Sequence, residues 1–527
     1  MKRVTPDPAE VAVISHALHS VAAEMGAALH RTAFSPNIKE RRDYSSAVFL
    51  PDGELIAMGD DMPVHLGSMP MSVRAALDAL RFGPGDVALL NDPFRGGTHL
   101  PDITMVAPVF IPGTKRPVFY VGNRAHHADV GGMHPGSMGP CREIAQEGIR
   151  IPPVMLMRAG RIDAQLLAIL LANVRTPRER EGDLTAQLGA CRVGAVRMRQ
   201  LVRRFGQARL LRGIRALSAG SERMMRAVLA ELPGGEWTGE DCLDDDGVRS
   251  APVRIRVSLR NDPARRRAIV DFAGTDPQVA GNINAVYAIT WSAVFYVFRC
   301  LLPSEAMVTA GLMRPIQVFA PEGSMVNAAA PAAVAGGNVE TSQRIVDTLL
   351  RALAQALPGR IPAASAGTMN NLTIGGTDAR TQSPYTYYET IAGGLGASPQ
   401  CEGASGHHAH MTNSLNTPVE ALEYAYPFRL LRYSLRTGSG GAGYHRGGDG
   451  LMREIELLSD AQVTLLCDRR RTPPWGLQGG LPGATGLSTL ISNDSEEALP
   501  GKCTREVRAG AHLLIESPGG GGWGKPD

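Results

Sequence analysis

The spacing of apolar and polar positions switches several times between a helical and an extended period. "DPAEVAVISHALHSVAAEMGAALHRTA" reads as a long first helix, with Asp7 as N-cap and Pro8 at the first helical position. His16, His19 and His30 lie in it, where solvation or packing accounts for them. "YSSAVFLP" and "GELIAMG" read as a hairpin joined by a Pro51-Asp52-Gly53 turn. "DVALLND", "ITMVAPVFI" and "RPVFYVGNRAHHAD" are further strand-like segments, alternating or continuously apolar. From about Asp183 to Leu232 the period turns helical, as in "AVRMRQLVRRF" and "SERMMRAVLAEL", with arginines on the solvated face.

"LPGGEWTGEDCLDDDG" breaks this helical stretch and marks a boundary. Asp244, Asp245 and Asp246 lack the spaced oxygen ligands and distal Glu of an EF-hand, so they read as a polar turn. Strands follow at "VRIRVSLR" and "RAIVDFAG", then an apolar helix near 285–302 and another helix at "TSQRIVDTLLRALAQAL". The glycine-dense segments "ETIAGGLGA", "RTGSGGAGYHRGGDG" and "ESPGGGGWG" suit turns and close backbone packing. The expected class is α+β, a mixed multi-sheet architecture with helical segments and no Rossmann or TIM-barrel pattern. Two regions are expected: 1–232, a metal-binding α/β region with a helical extension, and 233–527, a mixed α+β region with glycine-rich loops.

Composition narrows the class. A length of 527 residues exceeds what one core usually organises, and 44% apolar with 20% charged residues is ordinary for a globular chain. A net charge of +3 argues against nucleic acid or a membrane surface as partner. The seven cysteines are scattered without a CxxC pair, so neither a disulfide framework nor a thiolate zinc site is expected. The N-terminus lacks a signal peptide's apolar core, and the run "AVYAITWSAVFYVF" is too short and interrupted for a membrane span. A cytoplasmic location is the expectation.

Of thirteen histidines, four fall between His99 and His134. They lie at strand ends or in the glycine-rich loops after them, where a rigid scaffold presents functional groups. His99 and Asp102 are three apart in "GGTHLPD", and His126 or His127 on the next strand adds an imidazole. Asp43 in "ERRDYSSAV" completes a four-donor set suited to zinc, manganese or iron. Hydrogen bonding within a polar loop region fits the same residues equally well. Adjacent residues in a strand point to opposite faces, so His126 and His127 cannot both ligate from one side. A metal would lower the pKa of its water or polarise a carbonyl, and His127, Asp129 and Glu147 are the nearest acid–base candidates. "GHHAHMTNS" adds His407, His408 and His410; if extended, His408 and His410 share a face and, with Asn123, are candidates for a substrate pocket. His134 reads as a loop histidine. The sequence has no Walker-type phosphate loop, no GxGxxG after a strand and no GxSxG elbow.

The strings "GDVALLNDPFRGGTHLPDITMVAPVF", "NRAHHADVGGMHPGSMGP", "EGIRIPPV", "NVRTPREREGDLTAQ", "GGNVETSQRIVD", "HMTNSLNTPVEALE" and "SPGGGGWG" together resemble the hydantoinase B family, in order, over nearly the whole chain. The resemblance implies an A-type partner subunit that uses ATP and Mg to phosphorylate the substrate carbonyl oxygen, in a hetero-oligomer. It implies that this chain holds a divalent metal (Mn, Zn or Fe) and hydrolyses a lactam, hydantoin or 5-oxoproline-like ring. Position by position it implies Asp43, His99, Asp102 and His126 as ligands, His126 being the first histidine of "HHADVGG". The α subunit of an acetone-type ketone carboxylase, or a non-catalytic assembly subunit, are the alternatives.

Overall fold

The computed structural model describes residues 7–59, 61–492 and 495–526. Helix α1 (Pro8–Thr32) starts as expected, with the Asp7 carboxylate accepting from the Ala9 N–H at 3.1 Å and Pro8 at its first position. α1 is the one helix among the described residues long and apolar enough to cross a membrane. Here its Ile14, Leu18, Val21, Met25 and Leu29 are instead buried in the protein core. Each such side chain contributes about 1.5–3 kcal/mol relative to exposure.

The first sheet has seven strands, all antiparallel: β1 (Tyr44–Phe49), β2 (Leu55–Met58), β3 (Val87–Leu90), β4 (Asp102–Val109), β5 (Phe119–His126), β6 (Val154–Arg158) and β7 (Arg161–Ile162). Their spatial order is β2-β1-β5-β4-β3-β6-β7. Every residue of β1, β4 and β5 is buried, because helices cover both faces. That is why these strands read as nearly continuous apolar runs, which a sheet with one wet face would not. α1 and the long α6 (Pro177–Phe205) cover one face and α3 (His65–Ala79) the other, with the shorter α2 (Pro36–Lys39), α4 (Ile144–Glu147) and α5 (Ala164–Ala172) in the connections. Asn123 of β5 points to α6, while Arg124 reaches Ser68 and Ser72 of α3.

Helix α7 (Gln207–Glu231) returns along α1 and leads into a second sheet, ordered β11-β10-β9-β8: β8 (Gly235–Leu243), β9 (Val253–Asp262), β10 (Arg267–Asp271) and β11 (Ile316–Phe319). "LPGGEWTGEDCL" is thus mostly strand. β9 alternates buried and exposed residues, since only its inner face meets α9 (Ser342–Ala356). α8 (Tyr287–Cys300) packs between α3 and α9 and ties the two sheets together. The larger hydrophobic core therefore draws on residues from Ile14 to Leu466, Tyr388 and Met411 among them, on both sides of position 232.

Two further antiparallel sheets pack on a second core that begins at Leu372. One is ordered β13-β12-β16-β19 and the other β14-β15-β20-β17-β18. Their strands are β12 (Asn371–Asp378), β13 (Ser383–Glu389), β14 (Phe428–Arg436), β15 (Gly450–Leu457), β16 (Ala461–Leu466), β17 (Leu487–Ser492), β18 (Ser495–Ala498), β19 (Lys502–Val507) and β20 (His512–Glu516). The architecture is α+β, with sheets that are mostly antiparallel and, among the described residues, none closed into a barrel.

The glycine-dense segments are a packing device. Gly520 donates to Gly448 O and Gly521 to Ala364 O, at 2.9 and 2.8 Å. A Cβ on Gly520 would lie 2.0 Å from Leu395 O, so only glycine allows this approach.

Candidate metal centre

Register builds the site. Asp102 opens β4 and pairs directly with His126, which closes β5. Tyr44, the first residue of β1, pairs with Ala125, so Asp43 arrives at the same sheet end; the His126 N–H donates to Asp43 O at 3.0 Å. The glycine-rich turn before β4 returns His99 onto this corner, its ring 4.9 Å from the His126 ring. Asp43, His99, Asp102 and His126, far apart in sequence, thus share one corner.

A fifth group joins them that the sequence reading passed over. His65, the first residue of α3, places Nε2 3.3 Å from Asp102 Oδ2. His99 Nε2 lies 3.4 Å from the same oxygen, and Thr98 Oγ1 donates to it at 2.5 Å. The only local signal was a histidine at the start of an apolar helical pattern in "MPVHLGSM", which packing explains equally well. Asn338 was also missed. It stands in a π-helical turn (Gly337–Thr341) before α9, a helix distortion frequent at functional sites, with Nδ2 3.1 Å from His99 Nε2.

These side chains surround a cavity of about 10 Å³ lined by Asp43, His65, Asp102, His126, Asn338 and Tyr388 among others. That is room for one ion or one water. Among the described residues, three buried atoms of the four corner side chains have no hydrogen-bond partner, Asp102 Oδ1, His99 Nδ1 and His126 Nε2, and Asn338 Oδ1 on the cavity wall has none either. Burying such atoms unpaired costs about 1–3 kcal/mol each. Two carboxylates and imidazole nitrogens also form a donor set suited to a divalent cation, so the residues fit the group that the resemblance implies. Among the described residues no group of three or more His, Cys, Asp or Glu side chains is arranged so that it could hold a metal ion as it stands; the fit is one of donor type and of unpartnered atoms.

Electrostatics distinguishes the two carboxylates. Burial pushes Asp43 up to about 6, with Arg41 opposing that shift. Burial also opposes ionisation of Asp102, yet His99 and His65 beside it hold its carboxyl well below the ordinary range. Burial and the neighbouring His99 hold His126 well below the usual imidazole value, and burial also lowers His65. Both are therefore neutral near pH 7, the form that ligates a cation.

A shell of buried polar contacts fixes His126. Asn37 Nδ2 donates to its carbonyl at 2.6 Å and lies 3.0 Å from Nδ1. Arg41 donates to Asn37 Oδ1, and also to Tyr388 O at 3.1 Å and Thr390 Oγ1 at 2.8 Å. The Tyr388 ring stacks on His126 at 4.4 Å and 8°.

The remaining sequence candidates lie elsewhere. His127 faces the opposite side from His126, as strand geometry requires, and meets Gln187 Oε1 of α6 at 2.9 Å. Burial and Arg180 lower it to about 4. The Asp129 carboxylate accepts from the N–H groups of Gly131, Gly136 and Arg175 and from the Arg175 side chain, holding the loop after β5. Glu147 Oε1 accepts from the Val334 and Ala335 N–H groups. None of these three lines the cavity.

Asn123 exchanges hydrogen bonds with Gln187 between β5 and α6 and is likewise away from it. The shared face expected of His408 and His410 does not form, because His410 takes a left-handed φ of 56° that breaks the extended alternation. His410 Nε2 instead meets Asp347 Oδ1 at 3.1 Å. His408 is pushed down to about 3 by burial and by Arg41. His134 sits in a loop against Gln462 Oε1, at 3.1 Å.

Fold and site together define an α+β protein with a buried carboxylate–imidazole cluster at one sheet end. The hydantoinase B/oxoprolinase family model matches residues 7–526, and the chain belongs to that family. It is 38% identical to 5-oxoprolinase 1 of Arabidopsis thaliana over 98% of this chain and 42% of that protein. It is 30% identical to the B-type subunit of a putative D-/L-hydantoinase from Pseudomonas sp., over 99% of this chain and 90% of that one. The chain thus spans about two-fifths of the oxoprolinase length. The crystal structure of the ATP-dependent caprolactamase from Pseudomonas jessenii superposes with TM-score 0.92 at 31% identity, covering 99% of this chain and 92% of that one. Nucleotide-free acetone carboxylase shares the fold, with TM-score 0.89 at 19% identity over 99% of this chain and 76% of that one.

Proposed function

We propose that this chain is the metal-dependent B-type subunit of an ATP-dependent cyclic amidase. It opens a lactam, hydantoin or 5-oxoproline-like ring after a separate A-type subunit has phosphorylated the ring carbonyl oxygen. The observation that carries the reading is the buried Asp43–His99–Asp102–His126 corner with three unpartnered donor atoms, in a chain whose relatives include proteins named oxoprolinase, hydantoinase and caprolactamase.

Phosphorylation turns a poor amide electrophile into an activated imidate. Water then adds to the ring carbon, the C–N bond breaks as the nitrogen takes a proton, and the resulting acyl phosphate is hydrolysed to carboxylate and phosphate. A divalent cation held by Asp43, His99, Asp102 and His126 would supply Lewis-acid charge and water activation for this chemistry. The protein's own part is to hold those donors neutral or ionised as required, and to exclude bulk water from the corner. Arg41, Asn37 and Tyr388 fix His126, and Thr98 and His65 fix Asp102.

The test is reconstitution with an A-type partner and assay of ATP consumption against a hydantoin, 5-oxoproline, caprolactam, and acetone with bicarbonate. Ring opening coupled to ATP use, lost in His99→Ala, is the expected result. Bicarbonate-dependent turnover of the ketone without ring opening would replace the amidase reading with a carboxylase one. A metal-free complex indifferent to His99→Ala would leave only an assembly role.

A further inference from the structure

His65 stands at the cluster without a role in the ligand set implied by the family resemblance, and its surroundings give it one. It is 1% exposed and opens α3. The start of that helix is pinned to α8, since the Gly67 and Ser68 N–H groups donate to Ser292 Oγ at 3.1 and 3.0 Å. On one side of the ring, Nδ1 lies 2.9 Å from Ser45 Oγ, and that oxygen already accepts the Met62 N–H at 3.2 Å. With one lone pair engaged by Met62, the Ser45 hydroxyl proton is available to Nδ1. That arrangement leaves the imidazole proton on Nε2. On the other side, Nε2 faces Asp102 Oδ2 at 3.3 Å, beside the Thr98 hydroxyl at 2.5 Å. Asp102 Oδ1 is the oxygen left without a partner among the described residues.

We propose that His65 is a positioning residue: together with Thr98 it clamps Asp102 Oδ2, so that Oδ1 alone is presented to the cation. The chain Ser45–His65–Asp102 reverses the common order in which a carboxylate orients a ligating histidine. Here a histidine orients a ligating carboxylate, and a serine sets the histidine's tautomer. The inference rests on the metal reading above.

The experiment titrates Co(II) into the metal-free full chain against a competing chelator, and counts imidazole ligands by X-ray absorption. Loss of an orienting partner typically weakens metal binding about 10–100-fold. His65→Leu is expected to fall in that range, while His65→Gln, which keeps an N–H donor, stays within about threefold of wild type. The imidazole count stays the same in both. Ser45→Ala keeps the ring but frees its tautomer, and weakens binding about three- to tenfold; it decides the matter if His65→Leu does not fold. Unchanged affinity in Ser45→Ala, or in a folded His65→Leu, overturns the proposal, as does an imidazole count that drops by one in His65→Gln. Asp102→Ala separates the two levels. If it loses Co(II) while His65→Leu binds as wild type does, only the positioning role fails; if wild type binds no Co(II), the metal reading fails with it.

Discussion

Glu147→Gln tests the buried electrostatics of this fold. Glu147 is 1% exposed; its Oε1 accepts the Val334 and Ala335 N–H groups at 2.9 and 2.8 Å, and its Oε2 has no partner among the described residues. Burial raises its carboxyl to about 8 from 4.5, against the lowering effect of those two N–H groups. The folded carboxyl keeps its proton to higher pH than the unfolded one. Stability from this group is therefore full below pH 4.5 and falls as pH rises to about 8. At 1.36 kcal/mol per pKa unit, the loss between about pH 5 and about pH 8.5 is about 4 kcal/mol. Glutamine keeps the carbonyl acceptor and cannot ionise, so the variant lacks this slope. For 527 residues the unfolding entropy is about 1.1 kcal/mol/K, so the melting temperatures of variant and wild type should diverge by about 3–4 °C across that range. Thermal melts of both proteins in matched buffers give the answer. Parallel curves would show that the folded and unfolded carboxyls titrate alike and that Oε2 is solvated, which would refute the account.

Three further outcomes follow from other parts of the molecule. Asp468→Asn leaves Arg344 and Lys502 buried, formerly 3.0 and 2.8 Å from its oxygens, and should cost about 3–5 kcal/mol in denaturant titration. Burial opposes the Asp468 charge, but Lys502 and Arg344 depress it to about 2 from 3.8, so the difference from wild type should shrink as pH falls through that window. Gly520→Ala places a methyl 2.0 Å from Leu395 O and should destabilise by about 3 kcal/mol or more, read as loss of soluble protein or a lower melting point. Asp102→Asn removes one charge from the corner while keeping its shape; bound metal, measured by elemental analysis after dialysis, should drop at least about tenfold relative to wild type.

The sequence determined the local elements. The cap at Asp7, the Pro51-Asp52-Gly53 hairpin and the strands running into "GGTHLPD" and "NRAHHADV" follow from short-range rules of turn chemistry and period, and all appear in the fold. The opposite orientation of His126 and His127 was likewise fixed by the two-residue repeat of a strand. Tertiary structure decided what touches what. Asp43, His65, Asp102 and Asn338 meet because β1, β4 and β5 share a register, α3 starts at their end and a π-turn lies across it; no local pattern encodes such pairings. The same long-range packing decided what His127, Asp129 and Glu147 meet, namely α6, a loop and the 334–335 backbone, and a left-handed φ at His410 undid the alternation expected of "GHHAHMTNS". Residue type and spacing limit which chemistry a chain can carry, but burial and distance select which residues carry it, because both depend on segments hundreds of positions apart.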